Sequence, residues 1–584
     1  MLTQKISRRA LLKAGAAFVT TTALAKAQPL PSVSGAKPSS GDYTRLFPAL
    51  SGAQFALEDL RRLAMGDGLE LIGMSAEPET LKQSDGQPRR DAQGHLVITA
   101  TPENELDDEE NFGIPAGYSY LGQFIDHDLT LNPVDHFGPL VSGRPVNNLR
   151  TASFDLDCVY GRGPTDQPYL YQDDGRKLLT GRALNQAGVP CAAHDHPRLK
   201  GRAILGDKRN DENVLVSQMH GVFVAFHNKI AEDQPGASFE QLRQIVTLHY
   251  QWMILTDFLP KLIGTDVVAR LLPGFGDGGK VNRTKTQLTF ANQLLAGQIP
   301  LEFVDAAYRF GHSLIRPVYR LNTEMRGTEQ ELVANPALSG RRQIFAASYY
   351  AGLNGFREFP AEWAVDWRLY FEIDNKLDHR TAAQGARRVQ AAYKIDTSLT
   401  NPLAFLPEFS TAGNSHAMLR DKDGQPVARG GQVSNLAYRN LMRGVQSGLP
   451  SGQAVAQAMG LAPIDTKDLK VGKATLEGLK SNLSIADYGA SFSQAAPLWF
   501  YILAEAQHVW TQKVLQLSQQ SDEVRNAVPT RLGPVGGQLV GQSFIAMLKN
   551  DPKSILHADA NWRPKYLRQG RFDMPALVVA AGLA

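Results

Sequence analysis

The stretch Gln241-Leu-Arg-Gln-Ile-Val-Thr-Leu-His-Tyr-Gln-Trp-Met-Ile-Leu-Thr-Asp-Phe-Leu-Pro-Lys-Leu-Ile-Gly264 decides the fold class. Its apolar residues cover most of the circumference of a helix, which is typical of a helix buried on several sides. Further stretches place apolar residues at helical spacing. Strand patterns are few, with His95–Thr99 as one candidate, so the sequence predicts a mainly α fold with very little β. The predicted helices are Val214–Ala231, Phe239–Ile263, Glu302–Leu314, Gly452–Met459, Pro497–Leu517 and Gly536–Leu548.

The composition is that of a folded protein with a sizeable core, since 43% of the 584 residues are hydrophobic and 20% are charged. A net charge of +3 excludes a strongly basic nucleic-acid-binding protein. Two cysteines exclude a disulfide-rich scaffold and a zinc site made of cysteines alone. No apolar run reaches the roughly 18 residues of a membrane-spanning helix. No composition break divides residues 112–580, which favours one large helical domain over the three to four that length alone suggests at about 150 residues each.

The N-terminus resembles an export signal of the twin-arginine type. Ser7-Arg8-Arg9-Ala10-Leu11-Leu12-Lys13 precedes the apolar stretch Ala14–Leu24, and cleavage is expected after Ala25 or Ala27. The predicted signal peptide, residues 1–27, implies the twin-arginine export machinery as a partner and a periplasmic or secreted mature protein. A basic amphipathic helix is the alternative interpretation.

An oxidising compartment would make Cys158 and Cys191 a candidate disulfide pair, although the sequence does not show that they lie close together. Residues 28–50 are rich in Pro, Ser and Gly, and residues 77–110 are polar. We therefore expect an N-terminal arm and surface segment over residues 28–111, followed by the main domain over residues 112–584.

The segment Leu121-Gly-Gln-Phe-Ile-Asp-His-Asp-Leu-Thr130 carries the strongest chemical signal. In a helix, Gln123 and His127 lie at i and i+4 on one face, with Asp126 on its flank. A neutral imidazole that faces a pocket accepts protons well near neutral pH. From these residues alone, a metal ligand or a capped surface helix is the more usual interpretation.

This segment and four later ones, in the same order, resemble the motifs of the animal-type haem peroxidases, within the peroxidase–cyclooxygenase superfamily. The later segments are Asn148–Gly161, Leu205–Asn213, Ala306–Pro317 and Leu436–Gly444. Pro497–Leu503 and Asn561–Pro564 resemble bacterial members. The resemblance implies a haem peroxidase catalytic domain over residues 112–584. It also implies an enzyme that reduces hydrogen peroxide at a His-ligated haem b and oxidises halide, thiocyanate or small aromatic donors.

The resemblance also assigns roles to individual residues. His127 would act as general base and then acid, Arg209 would stabilise developing charge, and Gln123 would hold a water or small anion. Asn213 stands where some mammalian members have a methionine that links to haem, so that link cannot form here. The expected cofactor-binding residues are His312 as axial iron ligand, Asn440 as its hydrogen-bond acceptor, Arg309 and Arg443 near the propionates, and Asp126 and Glu212 as possible ester links.

In the family, calcium is bound by the residue that follows the distal histidine, which is His127 here, and by the loop that corresponds to Asn148–Gly161. The matching residues in this sequence are Asp128, Thr151, Ser153, Asp155 and Asp157, with Ser153 contributing its backbone carbonyl. Oxygen ligands with several carboxylates suit such a hard cation. An Asp-rich turn without an ion is the alternative interpretation.

Two other functions remain open. The first is a fatty-acid dioxygenase of the same superfamily, whose radical-forming tyrosine precedes the proximal histidine by three residues. Arg309 occupies that position and Tyr308 lies about 100° away around a helix, which disfavours this activity. The second is a non-catalytic haem-binding or adhesive protein. His220 and His227, seven residues apart, and the pair His194 and His196 are interpreted as structural rather than metal-binding.

Overall fold

The computed structural model describes the segments that carry these motifs. The predicted signal peptide over residues 1–27, the strand candidate His95–Thr99, Cys191 and most of residues 28–111 lie outside the described residues. The described residues are 42–67, 71–75, 108–131, 148–184, 193–275, 285–323, 341–345, 352–378, 388–404, 406 and 435–584. All of them belong to one unit, Ser39–Ala584, and the domain boundaries predicted from sequence remain a proposal.

Helices dominate the described part of the chain, which confirms the predicted mainly α class. None of them combines the length and apolar character that crossing a membrane requires. The α-helices are α1 Leu57–Met65, α2 Gly117–Leu129, α3 Asp157–Tyr160, α4 Val214–Asp233, α5 Phe239–Met253, α6 Leu259–Ile263, α7 Thr265–Leu271, α8 Leu301–Val304, α9 Leu436–Gln446, α10 Gly452–Ala458, α11 Gly478–Ser481, α12 Leu498–Gln516, α13 Asp522–Asn526, α14 Pro534–Asn550 and α15 Met574–Ala580.

The strands are short and form two-stranded sheets in the described residues. β1 and β5 pair in parallel, whereas β2 with β8, β3 with β4, β6 with β7 and β9 with β10 pair antiparallel. The strands are β1 Tyr43–Thr44, β2 Glu110–Pro115, β3 Arg198–Leu199, β4 Arg202–Ala203, β5 Ile299–Pro300, β6 Val318–Arg320, β7 Arg341–Gln343, β8 Ala391–Tyr393, β9 Lys470–Val471 and β10 Leu483–Ser484.

The stretch that predicted a buried helix forms one, with a change of pitch near its middle. Ser238 caps α5, and its side chain and that of Gln241 satisfy each other's backbone N–H groups. A single π-helical turn, Ile254–Phe258, joins α5 to α6. Gly264 ends α6 with a positive φ of 95°. The predicted helices in α4, α10, α12 and α14 also form, within a few residues of the expected ends.

The single helix expected over Glu302–Leu314 is wrong. The structure has the short α8 and then a 3₁₀ helix over Ala307–Leu314, separated by Ala306 at φ −139°. The buried Glu302 carboxylate accepts the backbone N–H groups of Leu46 at 3.0 Å and Phe47 at 3.3 Å. This contact ties α8 to a distant segment of the chain, and local helical spacing carries no information about it.

Aromatic packing fixes the position of α2 against the core. Phe124 stacks on Phe223 of α4 with ring centroids 4.5 Å apart, and Tyr250 of α5 meets Phe223 edge-on at 5.4 Å. All three side chains are buried. This packing fixes the rotation of α2 about its own axis, and with it the adjacent face of the helix, which carries Gln123 and His127.

Candidate functional site

The imidazole of His127 is buried against an amide from another segment. Its side chain is 5% exposed, and its Nδ1 lies 2.8 Å from Asn210 Oδ1. Burial and the charge of Arg209 lower the pKa of His127 to about 3. His127 is therefore neutral near physiological pH. With Nδ1–H donated to the Asn210 oxygen, Nε2 is left as a proton acceptor.

Gln123 joins His127 in one polar cluster, as their i, i+4 spacing predicts. Its Nε2 donates to Glu212 Oε2 at 2.9 Å, and its Oε1 accepts from Asn213 Nδ2 at 3.2 Å. His127 Nε2 lies 4.0 Å from the same Glu212 oxygen. The structure therefore brings Gln123, His127 and Glu212 together, and Asn213 adds a contact that sequence analysis did not anticipate.

Arg209 lies next to this cluster, and its position is set by a carboxylate. Its Nη2 donates to His127 O at 3.2 Å, to Thr130 O, and to Asp207 Oδ2 at 2.8 Å. Asp207 is buried, which acts to raise its pKa, but the hydrogen bonds and charge of Arg209 hold that pKa below its ordinary value. The positively charged guanidinium of Arg209 is thus held beside the backbone of His127.

Asp126 is the second predicted ester-forming acid and lies on the flank of α2. Burial raises its pKa, with the charges of Arg209 and Arg309 acting in the opposite direction. Thr130 Oγ1 donates to its carboxyl at 3.3 Å. Arg209 belongs to the distal segment and Arg309 to the proximal one. The carboxyl of Asp126 therefore lies within electrostatic range of both segments.

The proximal pair also forms. His312 Nδ1 and Asn440 Nδ2 are 2.7 Å apart. Burial, with the charge of Arg309, lowers the pKa of His312 to about 3, so the ring is neutral. A neutral imidazole that binds a metal through Nε2 carries its proton on Nδ1 and needs the amide oxygen facing it. A rotation of the Asn440 amide by 180° supplies that oxygen.

The proximal segment has room for a flat group beside His312. A Cβ added at Gly311 would meet no heavy atom within 4 Å. His312 Nε2 has no hydrogen-bond partner among the residues that the structure describes. Tyr308 Oη donates to Gly122 O of α2 at 3.3 Å, so the proximal segment and the distal helix are in direct contact. These observations fit a haem-binding role for His312.

The two predicted propionate-binding arginines lie around one carboxylate. Asp305 Oδ1 is 3.5 Å from Arg309 Nη2 and 3.9 Å from Arg443 Nε. In the present orientation of the amide, Asn440 Oδ1 accepts from Arg309 Nη1 at 3.4 Å, a contact that the rotation required by His312 would break. A guanidinium group pairs well with the anionic groups of a cofactor, and two of them lie together here. Sequence analysis missed Asp305, which precedes the quoted motif.

Three of the predicted calcium ligands converge. The carboxylates of Asp128, Asp155 and Asp157 place one oxygen each within 4.8 Å of one another. Neither oxygen of Asp128 has a hydrogen-bond partner of standard geometry in the described residues. Burial raises the pKa of Asp157 to about 7, with Asp155 adding to the shift and Arg150 opposing it. Buried, orphaned carboxylate oxygens of this kind fit a hard cation.

The remaining predicted calcium ligands, Thr151 and Ser153, lie in the loop that delivers Asp155. Arg150 connects this cluster to the distal site, since its Nη1 lies 3.3 Å from Asp157 Oδ1 and its Nη2 donates to Asp207. Asp207 and Arg150 are functional neighbours that sequence analysis missed. Both lie inside the quoted motifs. Arg150 directly precedes the predicted calcium ligand Thr151, and Asp207 stands two residues before Arg209, so their charges next to predicted site residues were the available signal.

Cys158 is buried and forms no disulfide with another of the residues that the structure describes. Its predicted partner Cys191 lies outside the described residues, so the disulfide remains a prediction.

Comparisons with known proteins agree with the motifs. Residues 138–395 match the family model described as animal haem peroxidase. That range contains Arg209 and His312, whereas His127 and Asn440 lie outside it. The chain is 26% identical to myeloperoxidase of Mus musculus over 232 residues, which are 36% of this chain and 29% of that protein. The match thus spans less than a third of that relative's length.

Two solved structures are also similar at low identity. Peroxidase A from Dictyostelium discoideum has a TM-score of 0.45 and 16% identity, over 82% of this chain and 88% of that chain. The fatty acid alpha-dioxygenase of Oryza sativa has a TM-score of 0.45 and 14% identity, over 93% of this chain and 85% of that chain.

Proposed function

Because residues 138–395 belong to the animal haem peroxidase family, we propose that this chain is a peroxidase that reduces hydrogen peroxide at a haem b. The observation that carries the proposal is a pair of histidine clusters on two elements in contact, with His127 buried and His312 half-buried. His127 lies with Asn210 and Arg209 at one of them, and His312 lies with Asn440 at the other. Both imidazoles are neutral, as proton transfer at one and metal ligation at the other require.

The residues that would hold haem are those around His312. His312 would hold the haem iron through Nε2, and Arg309 and Arg443 would supply positive charge for the propionates. Asp126 and Glu212 are the carboxyls available for ester links. When bound, haem supplies the electrons that cleave the O–O bond and recovers them from the reducing substrate.

The chain's own contribution on the distal side is proton transfer and charge stabilisation. His127 Nε2 accepts the proton from one peroxide oxygen and returns it to the other, which leaves as water. Arg209, which remains protonated, offsets the negative charge that develops between the oxygens. Gln123 orients a water or small anion beside His127, and Glu212 in turn fixes the amide of Gln123.

The donors proposed are halide or thiocyanate anions and small aromatics. Arg209 gives the distal cluster a fixed positive charge, which supports small anions as donors. Neutral His127 and the Gln123 amide allow uncharged aromatic donors as well.

We further propose that calcium binds at Asp128, Asp155 and Asp157, with backbone or side-chain oxygens of Thr151 and Ser153 completing the shell. The convergence of the three carboxylates supports this site. Export by the twin-arginine route to the periplasm or outside the cell is proposed from the sequence, in which the Arg8-Arg9 motif, an apolar stretch and a cleavage site follow one another.

The fatty-acid dioxygenase remains the second candidate, and its main requirement is not met in the described residues. Arg309 stands three residues before His312. Tyr308 is buried, its hydroxyl donates to Gly122 O, and its ring stacks on Phe303 with centroids 4.9 Å apart. Oxygen uptake with a polyunsaturated fatty acid in the absence of peroxide would favour this activity over the peroxidase. Haem binding without any peroxide reaction would favour a non-catalytic haem-binding or adhesive protein.

The substitution His127→Ala tests the proposal. It should lower peroxide-dependent oxidation of iodide or a phenol by about 10²–10⁴-fold, the usual contribution of a positioned acid–base group. Haem content, measured spectrophotometrically per chain, should be unchanged, because His127 does not hold the cofactor. His227→Ala is the matched control, since His227 is also buried but contacts Tyr160 instead. Full turnover in His127→Ala would refute the assignment.

A further inference from the structure

Asn210 joins three histidines in the interior of the protein. It is completely buried. Its side-chain oxygen lies 2.8 Å from His127 Nδ1, its side-chain nitrogen lies 3.0 Å from His220 Nδ1, and its backbone oxygen lies 3.1 Å from His196 Nε2. His220 belongs to α4, so the amide connects the core of the protein to the distal histidine.

An amide between two imidazoles couples their tautomers. The amide oxygen only accepts a hydrogen bond, and the amide nitrogen only donates. When the oxygen faces His127, His127 must carry its proton on Nδ1 and His220 must present an unprotonated Nδ1. When the amide is rotated by 180°, both assignments reverse, and His127 then carries its proton on Nε2. Each amide orientation thus selects one proton arrangement for both rings.

We infer that His220 acts through Asn210 as a positioning residue that keeps His127 in the tautomer with a proton-free Nε2. The inference rests on the proposed peroxidase function, because proton transfer from peroxide needs that nitrogen unprotonated. His220 Nδ1 accepts from the Asn210 amide, which holds the amide oxygen towards His127. His220 does not contact the reacting atoms.

The surroundings of His220 are compatible with this tautomer. Its Nε2 has no hydrogen-bond partner among the described residues, so no fixed acceptor or donor competes for that nitrogen. His220 and His196 also line a cavity with Thr180, Asp195 and Gln218 in its walls. The cavity wall beside His220 thus includes polar side chains.

The experiment compares two substitutions of His220 in the haem-loaded protein. His220→Asn places an amide oxygen near the position of Nδ1 and keeps an acceptor for Asn210, whereas His220→Leu removes it. The first readout is the association rate of cyanide with the ferric protein, followed by the Soret band, because hydrogen cyanide must lose its proton to a distal base. The second is the tautomer of His127 in ¹⁵N-histidine-labelled protein without haem, assigned with His127→Ala.

His220→Leu should slow cyanide association by about tenfold or more and shift the His127 signal towards the Nε2–H form, since the wrong tautomer cannot act as a base. His220→Asn should restore both readouts to within about twofold. His227→Leu, on the same helix, should leave the cyanide association rate and the His127 tautomer unchanged.

Two outcomes would overturn the inference. One is that the wild type and His220→Leu have the same association rate and the same His127 tautomer. The other is that His220→Leu and His220→Asn lose the association rate and the tautomer to the same extent. Wild-type protein without peroxide activity would refute the proposed function instead, while the tautomer comparison would still decide this one.

Discussion

Burial decides the protonation state of the imidazoles in this site. His127 and His312 carry side chains that are ordinarily half-protonated near pH 6.5, and burial lowers the pKa of both to about 3. Both rings are therefore neutral across the physiological range. One neutral ring accepts a proton and the other offers a lone pair to a metal, so two residues of one type serve two roles because their neighbours differ.

The same effect acts in the opposite direction on Glu505. This buried carboxyl accepts the N–H groups of Val535 at 2.9 Å and Gly536 at 3.1 Å, at the start of α14. Burial raises its pKa to about 7, although those N–H groups act to lower it. A carboxyl whose folded pKa lies above the unfolded value stabilises the fold fully below the unfolded pKa. That contribution is lost as the pH rises through the folded pKa.

We therefore expect the free energy of unfolding of the wild type to fall between about pH 5 and pH 8 relative to Glu505→Gln, which does not titrate. The difference between the two proteins should change by about 1–3 kcal/mol over this range. Denaturant titrations at the two pH values measure it. A difference that is the same at pH 5 and pH 8 would show that Glu505 does not have the raised pKa.

At the scale of elements, the acidic cluster brings together carboxylates from the distal helix α2 and from the loop that leads into α3. Asp128 lies at the end of α2, and Asp157 begins α3 after the loop that carries Asp155. Burial raises the pKa of Asp128 well above its ordinary value, and the charges of Asp155 and Asp157 add to the rise, because without a cation the three carboxylates repel one another. A bound cation would replace this repulsion with attraction and fix the C-terminal end of α2.

Removal of calcium should therefore destabilise the protein. Calcium at about 100 times its Kd should raise the free energy of unfolding by about 2.7 kcal/mol over the chelated protein. Thermal unfolding in calcium and in excess chelator measures the effect. Asp128→Asn should remove most of the calcium-dependent gain, whereas Asp166→Asn, at an exposed position outside the cluster, should not. Identical unfolding temperatures with calcium and with chelator would contradict the site.

Helical spacing predicted the elements whose buried faces are continuous, such as α4, α12 and α14. It failed over Glu302–Leu314, where the chain forms α8 and then a separate 3₁₀ helix. It also could not reveal that Glu302 binds backbone groups of residues 46 and 47, more than 250 positions earlier in the chain. Motif resemblance located His127, Arg209 and His312. It did not reveal Asn210 or Asp305, because their roles depend on which side chains the fold places beside them.

At the scale of the whole molecule, the site is assembled from segments that are far apart in sequence. Packing of α12 supports the proximal segment, since Trp499 Nε1 donates to Arg309 O at 3.2 Å. The segment around Arg45 contacts the chain just after α9, where Arg45 donates to Gly448 O at 3.0 Å. The distal and proximal clusters therefore depend on the fold as a unit, and haem binding should be lost with global unfolding.

The most direct test of the central claim is a stopped-flow spectrum of the purified, haem-loaded protein. Hydrogen peroxide is mixed first, and iodide, bromide, thiocyanate or a phenol follows in a second mixing step. The proposed function predicts one haem per chain, a rapid change of the Soret band with peroxide, and a return to the starting spectrum with at least one donor. His312→Ala should lose the haem. A protein that retains haem but shows no spectral change with peroxide would contradict the claim that this chain is a peroxidase.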